Sequence, residues 1–106
     1  MNTLETKIEW SPEARKDLRE IYDYIKNDLN EPKIANSITL KIRERVEKLQ
    51  FYYKIYPLIS FENSKRTIRK IKLKRYIIFY TFYEEEQTIY ILRILHERRN
   101  WSKILN

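Results

Sequence analysis

The spacing of apolar residues changes twice along this chain, and the order of these changes constrains the fold more than any other feature. Residues 7–10 (KIEW) alternate in polarity and predict a short strand. Ser11 and Pro12 are typical of a helix start, because the hydroxyl caps free amides and proline tolerates the first helical position. Two amphipathic helices should follow, the first ending near residues 27–30 and the second beginning about Pro32. Their apolar stripes consist of Ala14, Leu18, Ile21, Tyr22, Ile25 and Leu29, and of Ile34, Ile38, Ile42, Val46 and Leu49.

Strand-like composition returns in the second half of the chain. Three closely spaced segments rich in Ile, Tyr, Phe and Leu predict strands at about 68–74, 76–83 and 88–96, and the close spacing favours antiparallel pairing. Residues 51–67 lack periodicity and should form a loop packed against the body, whereas 83–87 (YEEEQ) should form an acidic turn. The sequence therefore predicts a single α+β domain over residues 1–106, ordered β-α-α-β-β-β with a short C-terminal helical tail. Its two helices should cover one face of a mainly antiparallel sheet.

Composition argues against several kinds of site. Cysteine is absent, which excludes disulfides and thiolate zinc sites, and a single histidine argues against a histidine-based metal site. Glycine is also absent, which argues against phosphate-cradling loops. We therefore expect no metal and no cofactor. With no apolar run long enough to span a membrane and no apolar signal core at the N-terminus, we expect a cytoplasmic protein.

The net charge of +7 indicates an anionic partner, and residues 65–75 (KRTIRKIKLKR) carry seven cations and no acid. Alternation along a strand would place Ile68, Lys70, Lys72 and Lys74 on one side and Arg69, Ile71 and Leu73 on the other. Such a row of lysines could follow a phosphate backbone. It could equally protect an edge strand from pairing with another sheet.

A second basic cluster closes the chain in residues 91–101 (ILRILHERRNW). Alternation would place Ile91, Arg93 and Leu95 on one side, and Tyr90, Leu92, Ile94 and His96 on the other. An unpaired charge among apolar residues costs several kcal/mol, so Arg93 needs either a carboxylate or a solvated groove. The carboxylates available on the first helix are Glu13, Asp17, Glu20 and Asp23.

The residues after Arg93 are candidates for contact with a target or an acidic partner. Arg98 and Arg99 follow the last strand directly. His96 could act as a general acid or base, or be a hydrogen-bonded structural residue. Trp101 could stack on a nucleic-acid base, or anchor the tail to the body.

Together these segments resemble the RelE/ParE superfamily of type II toxin–antitoxin toxins over nearly the whole chain. The resemblance is carried by KIEW, SPEARKDLREIYDYI, RYIIFYTF and ILRILHERRNW, and within the last by Arg93, Leu95, His96, Arg98, Arg99 and Trp101. It implies a small basic toxin that inhibits growth, in systems linked to plasmid stabilisation. It also implies neutralisation by a cognate, acidic antitoxin that wraps around the toxin.

The superfamily has two branches with different targets. RelE-like members cleave mRNA on the ribosome without a metal, and for that branch Lys70, Lys72, Arg75 and Arg98 would be the catalytic residues. Ile77 stands where that branch usually has arginine, and Asn100 stands where some RNA-cutting relatives carry histidine. Without the arginine at position 77, charge stabilisation of the transition state would be lost, and the amide of Asn100 cannot exchange a proton near neutral pH as histidine can.

The closing signature is typical of the ParE-like branch, whose members inhibit DNA gyrase, and we favour that branch. The residues that it implies for binding of target or antitoxin are Arg93, His96, Arg98, Arg99 and Trp101. The alternative is a RelE-like mRNA endoribonuclease, and a third possibility is a decayed toxin that only binds its antitoxin. In each case we expect the two basic clusters to converge on one water-facing concavity.

Overall fold

The computed structural model describes residues 6–59 and 67–105. Five strands, three α-helices and one π-helical segment follow one another along these residues. In chain order they are β1 (Lys7–Trp10), α1 (Pro12–Asp23), the π-helical segment (Tyr24–Asp28), α2 (Pro32–Tyr52), β2 (Leu58–Ile59), β3 (Ile68–Leu73), β4 (Tyr76–Tyr83), β5 (Thr88–His96) and α3 (Trp101–Leu105).

The strands form one sheet in the order β1-β5-β4-β3-β2, in which β1 runs parallel to β5 and the other neighbours are antiparallel. Helices α1 and α2 pack on one face of this sheet, and the short α3 packs on the other. The predicted α+β fold is confirmed, with a helix pair on a mainly antiparallel sheet and a helical tail.

The predicted loop over 51–67 is wrong in part. Helix α2 continues to Tyr52, and Leu58 and Ile59 form an additional edge strand that pairs with β3. The pairing is extended by the amide of Lys70, which donates to the carbonyl of Pro57 at 3.1 Å. Residues 60–66 of that prediction, with Lys65 and Arg66, lie outside the described residues.

Ser11 ends β1 and begins α1. Its amide donates to the carbonyl of Ile91 at 2.9 Å, and its hydroxyl donates to the carbonyl of Leu92 at 2.8 Å. The same hydroxyl oxygen accepts the amide of Ala14 at 2.9 Å, which satisfies a donor of the first helical turn. The predicted helix start is therefore confirmed, and one side chain fixes the helix against the sheet.

The connection between α1 and α2 differs from a simple helix end. The chain leaves α1 through the π-helical segment, and Asn30 then takes a left-handed conformation with φ 54° before Pro32 starts α2. Leu29 and Ile34, which were predicted to belong to the core stripes, are 50% and 47% exposed. The last residue of one predicted stripe and the first residue of the other therefore lie outside the main core.

The main core lies between the helix pair and the sheet. Its buried members are Ala14, Leu18, Ile21, Ile25, Ala35, Ile42, Val46, Leu49, Ile71, Leu73, Tyr76, Ile78, Tyr80, Ile89, Ile91 and Ile94. A smaller cluster on the opposite face holds α3, and its buried members are Ile68, Ile77, Phe79, Leu95 and Leu105.

The predicted alternation along β5 is wrong beyond Ile91. Phe79 of β4 pairs with Arg93, whereas the next residue, Tyr80, pairs with Ile91, which leaves Leu92 without a partner in a β-bulge. The extra residue shifts the alternation by one position. Ile91 and Ile94 therefore share the helix-covered face, and Leu92 and Leu95 share the opposite face.

The alternation predicted for β3 holds within the strand and ends before Lys74. Ile71 and Leu73 face the helix pair, whereas Ile68 belongs to the cluster under α3. Lys74 lies in the turn after β3, in a left-handed conformation with φ 57°, so it does not extend the predicted lysine row.

Candidate functional site

Arg93 is paired with a carboxylate and not placed in a solvated groove. Its Nε donates to Oδ2 of Asp17 at 2.8 Å and its Nη2 donates to Oδ1 at 2.9 Å, an arrangement that raises the pKa of the guanidinium. Oδ2 also accepts the amide of Ile94 at 2.9 Å. Because β1 reaches only to Ile91, this amide has no strand partner on that side, and Asp17 takes its place. Arg93 and Asp17 thus attach α1 to the open edge of β5.

His96 takes part in the turn that follows β5. Its Nδ1 accepts the amide of Arg98 at 3.1 Å, and its carbonyl accepts the amide of Arg99 at 3.0 Å. The imidazole also packs edge-on against the ring of Tyr76, with 5.6 Å between the ring centroids. These contacts fit the structural interpretation of His96, because Nδ1 already serves as a hydrogen-bond acceptor.

Arg98 and Arg99 are the exposed cations of this turn. Neither side chain forms a salt bridge within residues 6–59 and 67–105. Their backbone amides are held by His96, so the turn is fixed while both guanidinium groups face water. They therefore present positive charge to any partner that approaches this end of the sheet.

Helix α3 begins at a capped turn and is anchored by its first residue. Oδ1 of Asn100 accepts the hydroxyl of Ser102 at 3.0 Å and the amide of Lys103 at 3.4 Å. The ring of Trp101 packs on Phe79 with 5.5 Å between centroids. This contact agrees with the interpretation of Trp101 as an anchor for the tail, and it gives Asn100 a capping role.

Lys70 and Lys72 meet the C-terminal segment. Nζ of Lys72 lies 2.9 Å from Oε2 of Glu97, and that hydrogen bond lowers the pKa of the Glu97 carboxyl. Nζ of Lys70 lies 5.3 Å from the ring centroid of Trp101, within cation–π distance. The two basic clusters therefore adjoin at the α3 side of the sheet, although the charge of Lys72 is partly neutralised.

Arg75 and Ile77 lie close to Lys70 and Lys72, but neither adds a phosphate-binding cation beside them. Arg75 is exposed in the turn between β3 and β4, where its carbonyl accepts the amide of Glu97 at 2.8 Å. Ile77, at the position where the RelE-like branch usually has arginine, is 7% exposed and packs in the cluster under α3. An apolar contact thus stands where a phosphate-binding cation would be expected.

A separate groove, which sequence reasoning missed, runs between α1, α2 and β1. Its volume is about 990 Å³. Its apolar wall includes Ile8, Trp10, Leu18, Tyr22, Leu40 and Val46, and its charged residues are Arg15, Arg19, Asp23, Arg43 and Glu47. The available signal was Leu40, an aliphatic residue off the core stripe of α2 that is 57% exposed. An amphipathic segment with apolar and acidic residues would fit such a groove.

The sequence matches the family model for the ParE toxin of the type II toxin–antitoxin system, parDE, over residues 8–101. The chain belongs to the ParE toxin family. No curated protein matches it. The superfamily resemblance read from the sequence is thereby confirmed, and its ParE side is the one that the family model supports.

Solved structures share the fold of this ParE family member. A chain of the chromosomal ParDE system from P. aeruginosa superposes with a TM-score of 0.71 at 24% identity, covering 87% of this chain and 96% of that one. A mutant E. coli toxin RelE in the free state gives a TM-score of 0.66 at 11% identity, with 95% and 93% covered. The archaeal RelE–RelB complex from Pyrococcus horikoshii OT3 gives 0.61 at 15% identity, with 91% and 99% covered.

In residues 6–59 and 67–105 there is no group of three or more His, Asp or Glu side chains placed to hold a metal ion. Within the same residues, none of the helices has the length and apolar character needed to cross a membrane.

Proposed function

We propose that this ParE family toxin inhibits growth by binding DNA gyrase in the cytoplasm, and that a cognate acidic antitoxin neutralises it. The observation that carries the proposal is the family match over residues 8–101. The proposed target contacts are Arg98 and Arg99, supported by the basic side chains of β3 that adjoin them. Arg93, His96 and Trp101 would contribute by holding this surface in place, since each is engaged within the fold.

A binding mechanism is supported by what the structure has at three positions that RNA-cutting relatives use for cleavage. Lys72 is paired with Glu97, Ile77 is buried and Asn100 caps α3. Cleavage through attack of the ribose 2′-hydroxyl on phosphorus requires a proton acceptor and cations that stabilise the dianionic transition state. The alternative is cleavage of mRNA on the ribosome by Lys70, Lys72, Arg75 and Arg98. It is supported by the contacts of Lys70 with Trp101 and of Lys72 with Glu97, which bring the two basic clusters together.

Paired assays of supercoiling and translation distinguish the two functions. Purified protein is added to gyrase with relaxed plasmid and, separately, to ribosomes translating a defined message. We expect loss of supercoiling with the message intact, and we expect R98E/R99E to restore supercoiling. The double variant K41E/K48E is the matched control, because it reverses two exposed lysines on α2. Cuts in the message that disappear in K70A or R98A, with supercoiling unchanged, would overturn the gyrase proposal. Activity in neither assay favours a decayed toxin.

We also propose that an antitoxin segment occupies the groove between α1, α2 and β1. The exposed Leu40 and the three arginines that line the groove would accept apolar and acidic side chains. Arg15 and Arg19 are one helical turn apart, so both can contact carboxylates along one face of a bound helix. The support is the combination, in one groove of about 990 Å³, of an apolar wall with three arginines that outnumber the two carboxylates, Asp23 and Glu47.

Titration of the toxin with its antitoxin tests this groove. R19E/R43E is expected to weaken the complex by at least about tenfold and to reduce its salt dependence, because two attractive charges become repulsive. K41E/K48E, which changes the net charge equally outside the groove lining, should bind nearly as the unaltered toxin does. Equal weakening in both variants would show that net charge alone drives the association and would remove the groove from the account.

A further inference from the structure

A second cavity lies at the opposite end of the helix pair from β1. It is an open cleft lined by the π-helical segment, the start of α2 and the turn between β3 and β4, and its volume is about 470 Å³. It shares no lining residue with the groove between α1, α2 and β1. Its lining residues are Ile25, Leu29, Glu31, Ile34, Ile38, Lys74, Arg75 and Tyr76.

One wall of this cavity is aliphatic. Leu29 and Ile34 are half-exposed beside the buried Ile25 and the partly buried Ile38. Leaving two large aliphatic side chains in water forgoes the free energy that their burial would provide. Grouped exposure of this kind, in contrast to single scattered residues, is typical of a binding site.

The other wall carries three consecutive polar groups. Lys74 and Arg75 are exposed, and neither forms a salt bridge within the described residues 6–59 and 67–105. The side chain of Tyr76 is nearly buried, and in those same residues its hydroxyl has no hydrogen-bond partner. A tyrosine hydroxyl is protonated near neutral pH, and burial raises the pKa of Tyr76 further, so this hydroxyl can donate a hydrogen bond. The turn therefore offers two cations and one neutral donor to the same cavity.

The backbone around the cavity is also unusual. Its helical wall includes a π-helical segment, a form that occurs frequently at functional sites. Lys74 holds a left-handed conformation with φ 57°, which is costly for a residue other than glycine. Glu31 lies on the helical side of the cavity, so an anionic group is repelled there and attracted by the turn.

We propose that this cavity binds a small aliphatic carboxylate, with the hydrocarbon tail against Ile25, Leu29, Ile34 and Ile38 and the carboxylate on Lys74, Arg75 and Tyr76. The volume lies in the usual range for small-molecule clefts, which are mostly apolar with a few polar groups that fix orientation. The cations match the negative head group, and the isoleucine and leucine side chains match the tail. This site is independent of the proposed action on gyrase.

Titration with sodium decanoate below its micelle concentration, followed by methyl-resolved NMR, tests the proposal. We expect saturable shifts of the Ile25, Leu29, Ile34 and Ile38 methyl groups, with the residues of the groove between α1, α2 and β1 unmoved. Decanol and decyltrimethylammonium have the same tail with a neutral or a positive head. Each should bind at least about tenfold more weakly than decanoate, because charge-assisted hydrogen bonds to the head group are lost.

Variants at the turn examine the head-group contacts. K74N/R75Q removes both charges, and asparagine is chosen at position 74 because it tolerates the left-handed conformation. Decanoate should bind this variant about tenfold more weakly. Y76F removes only the hydroxyl and should weaken binding by a smaller factor. K41Q/K48Q, which removes two lysines that do not line the cavity, should leave binding unchanged.

Several results would overturn the proposal. Absence of saturable binding would do so, as would shifts centred on the groove between α1, α2 and β1. If the protein bound decanoate and decanol equally well, or if decanoate bound the unaltered protein and K74N/R75Q equally well, the cations would not contribute to binding. Methyl spectra of each variant without ligand confirm that its fold is intact before these comparisons are made.

Discussion

The two faces of the sheet are built from the same strands but differ in what covers them. Within the described residues, the face under α1 and α2 has sixteen buried core residues, whereas the face under α3 has five. Since buried aliphatic area supplies most of the stability of a small domain, the helix-covered face carries the larger share of the folding free energy. The face under a five-residue helix is less constrained, and it is there that the lysines of β3 meet the basic turn.

The arginines near the end of β5 show the same contrast. Arg93 is held by a nearly buried carboxylate of α1 and is committed to the fold. Arg98 and Arg99, a few residues later, are exposed in a turn whose backbone is fixed by His96. A basic sequence cluster can therefore divide into cations that stabilise the protein and cations that remain available for a partner.

The largest effect is expected from a cavity on the helix-covered face. Ile78 is fully buried in the middle of β4, and I78A should lower the free energy of unfolding by about 4 kcal/mol through lost burial and an unfilled cavity. Urea denaturation followed by circular dichroism measures this loss. V46A, which removes less side-chain volume on the same side of the sheet, is the matched comparison and should cost less. A loss no larger than that of L105A, on the face under α3, would contradict the assignment of most stability to the helix-covered face.

The next largest effect is expected at the contact between Asp17 and Arg93. D17A leaves the guanidinium and the amide of Ile94 without their acceptor, and the expected loss of unfolding free energy is about 3 kcal/mol. E20A removes an exposed carboxylate one helical turn away and should cost far less. If both variants unfold at the same urea concentration, Arg93 does not depend on Asp17, and its assignment to the fold is incorrect.

A smaller effect is expected on the face under α3. Leu105 is buried near the end of the described chain, and L105A should lower the free energy of unfolding by about 1.5 kcal/mol, because a short terminal helix can relax around the missing side chain. Thermal and urea denaturation measure the change. A loss as large as that of I78A would show that the two faces contribute equally to the free energy of unfolding.

The smallest effect concerns Glu97 and depends on pH. Because Lys72 lowers the pKa of this carboxyl in the folded protein, the contact stabilises the fold above the ordinary value of 4.5. That stabilisation is lost as the pH falls through the lowered value. E97Q should therefore melt slightly below the unaltered protein at neutral pH, and the difference should vanish in acid. E84Q, in the exposed turn between β4 and β5, is the control that should show no such pH-dependent difference.

The sequence predicted the elements whose signals are local. The helix start at Ser11 and Pro12, the two amphipathic helices and the three long strands each depend on residues close in sequence, and each was confirmed. The exceptions within the apolar stripes are Leu29 and Ile34, which lie outside the core. The choice of Asp17 among four carboxylates could not be predicted, because it depends on where β1 ends beside β5.

The failures share a physical cause. Nothing in the alternation of β5 indicates a bulge at Leu92, since the bulge reflects the register against β4. The edge strand at Leu58 and Ile59 is only two residues long and follows from pairing with β3, so no periodic signal exists for it. Leu29 and Ile34 fit a core stripe by their spacing, yet both are about half exposed, because they line an open cavity at the connection between α1 and α2. Both cavities arise from such tertiary effects, which explains why neither was foreseen.

Under the proposed function, the exposed arginines of the turn after β5 contact the target, whereas the groove between α1, α2 and β1 does not. Binding of immobilised gyrase by three toxins of equal melting temperature tests it most directly: the unaltered protein, R98E/R99E and R19E/R43E. The account predicts that R98E/R99E binds at least about tenfold more weakly, since two attractive charges become repulsive, and that R19E/R43E binds as the unaltered protein does. Undiminished binding by R98E/R99E, together with loss of binding by R19E/R43E, would contradict it.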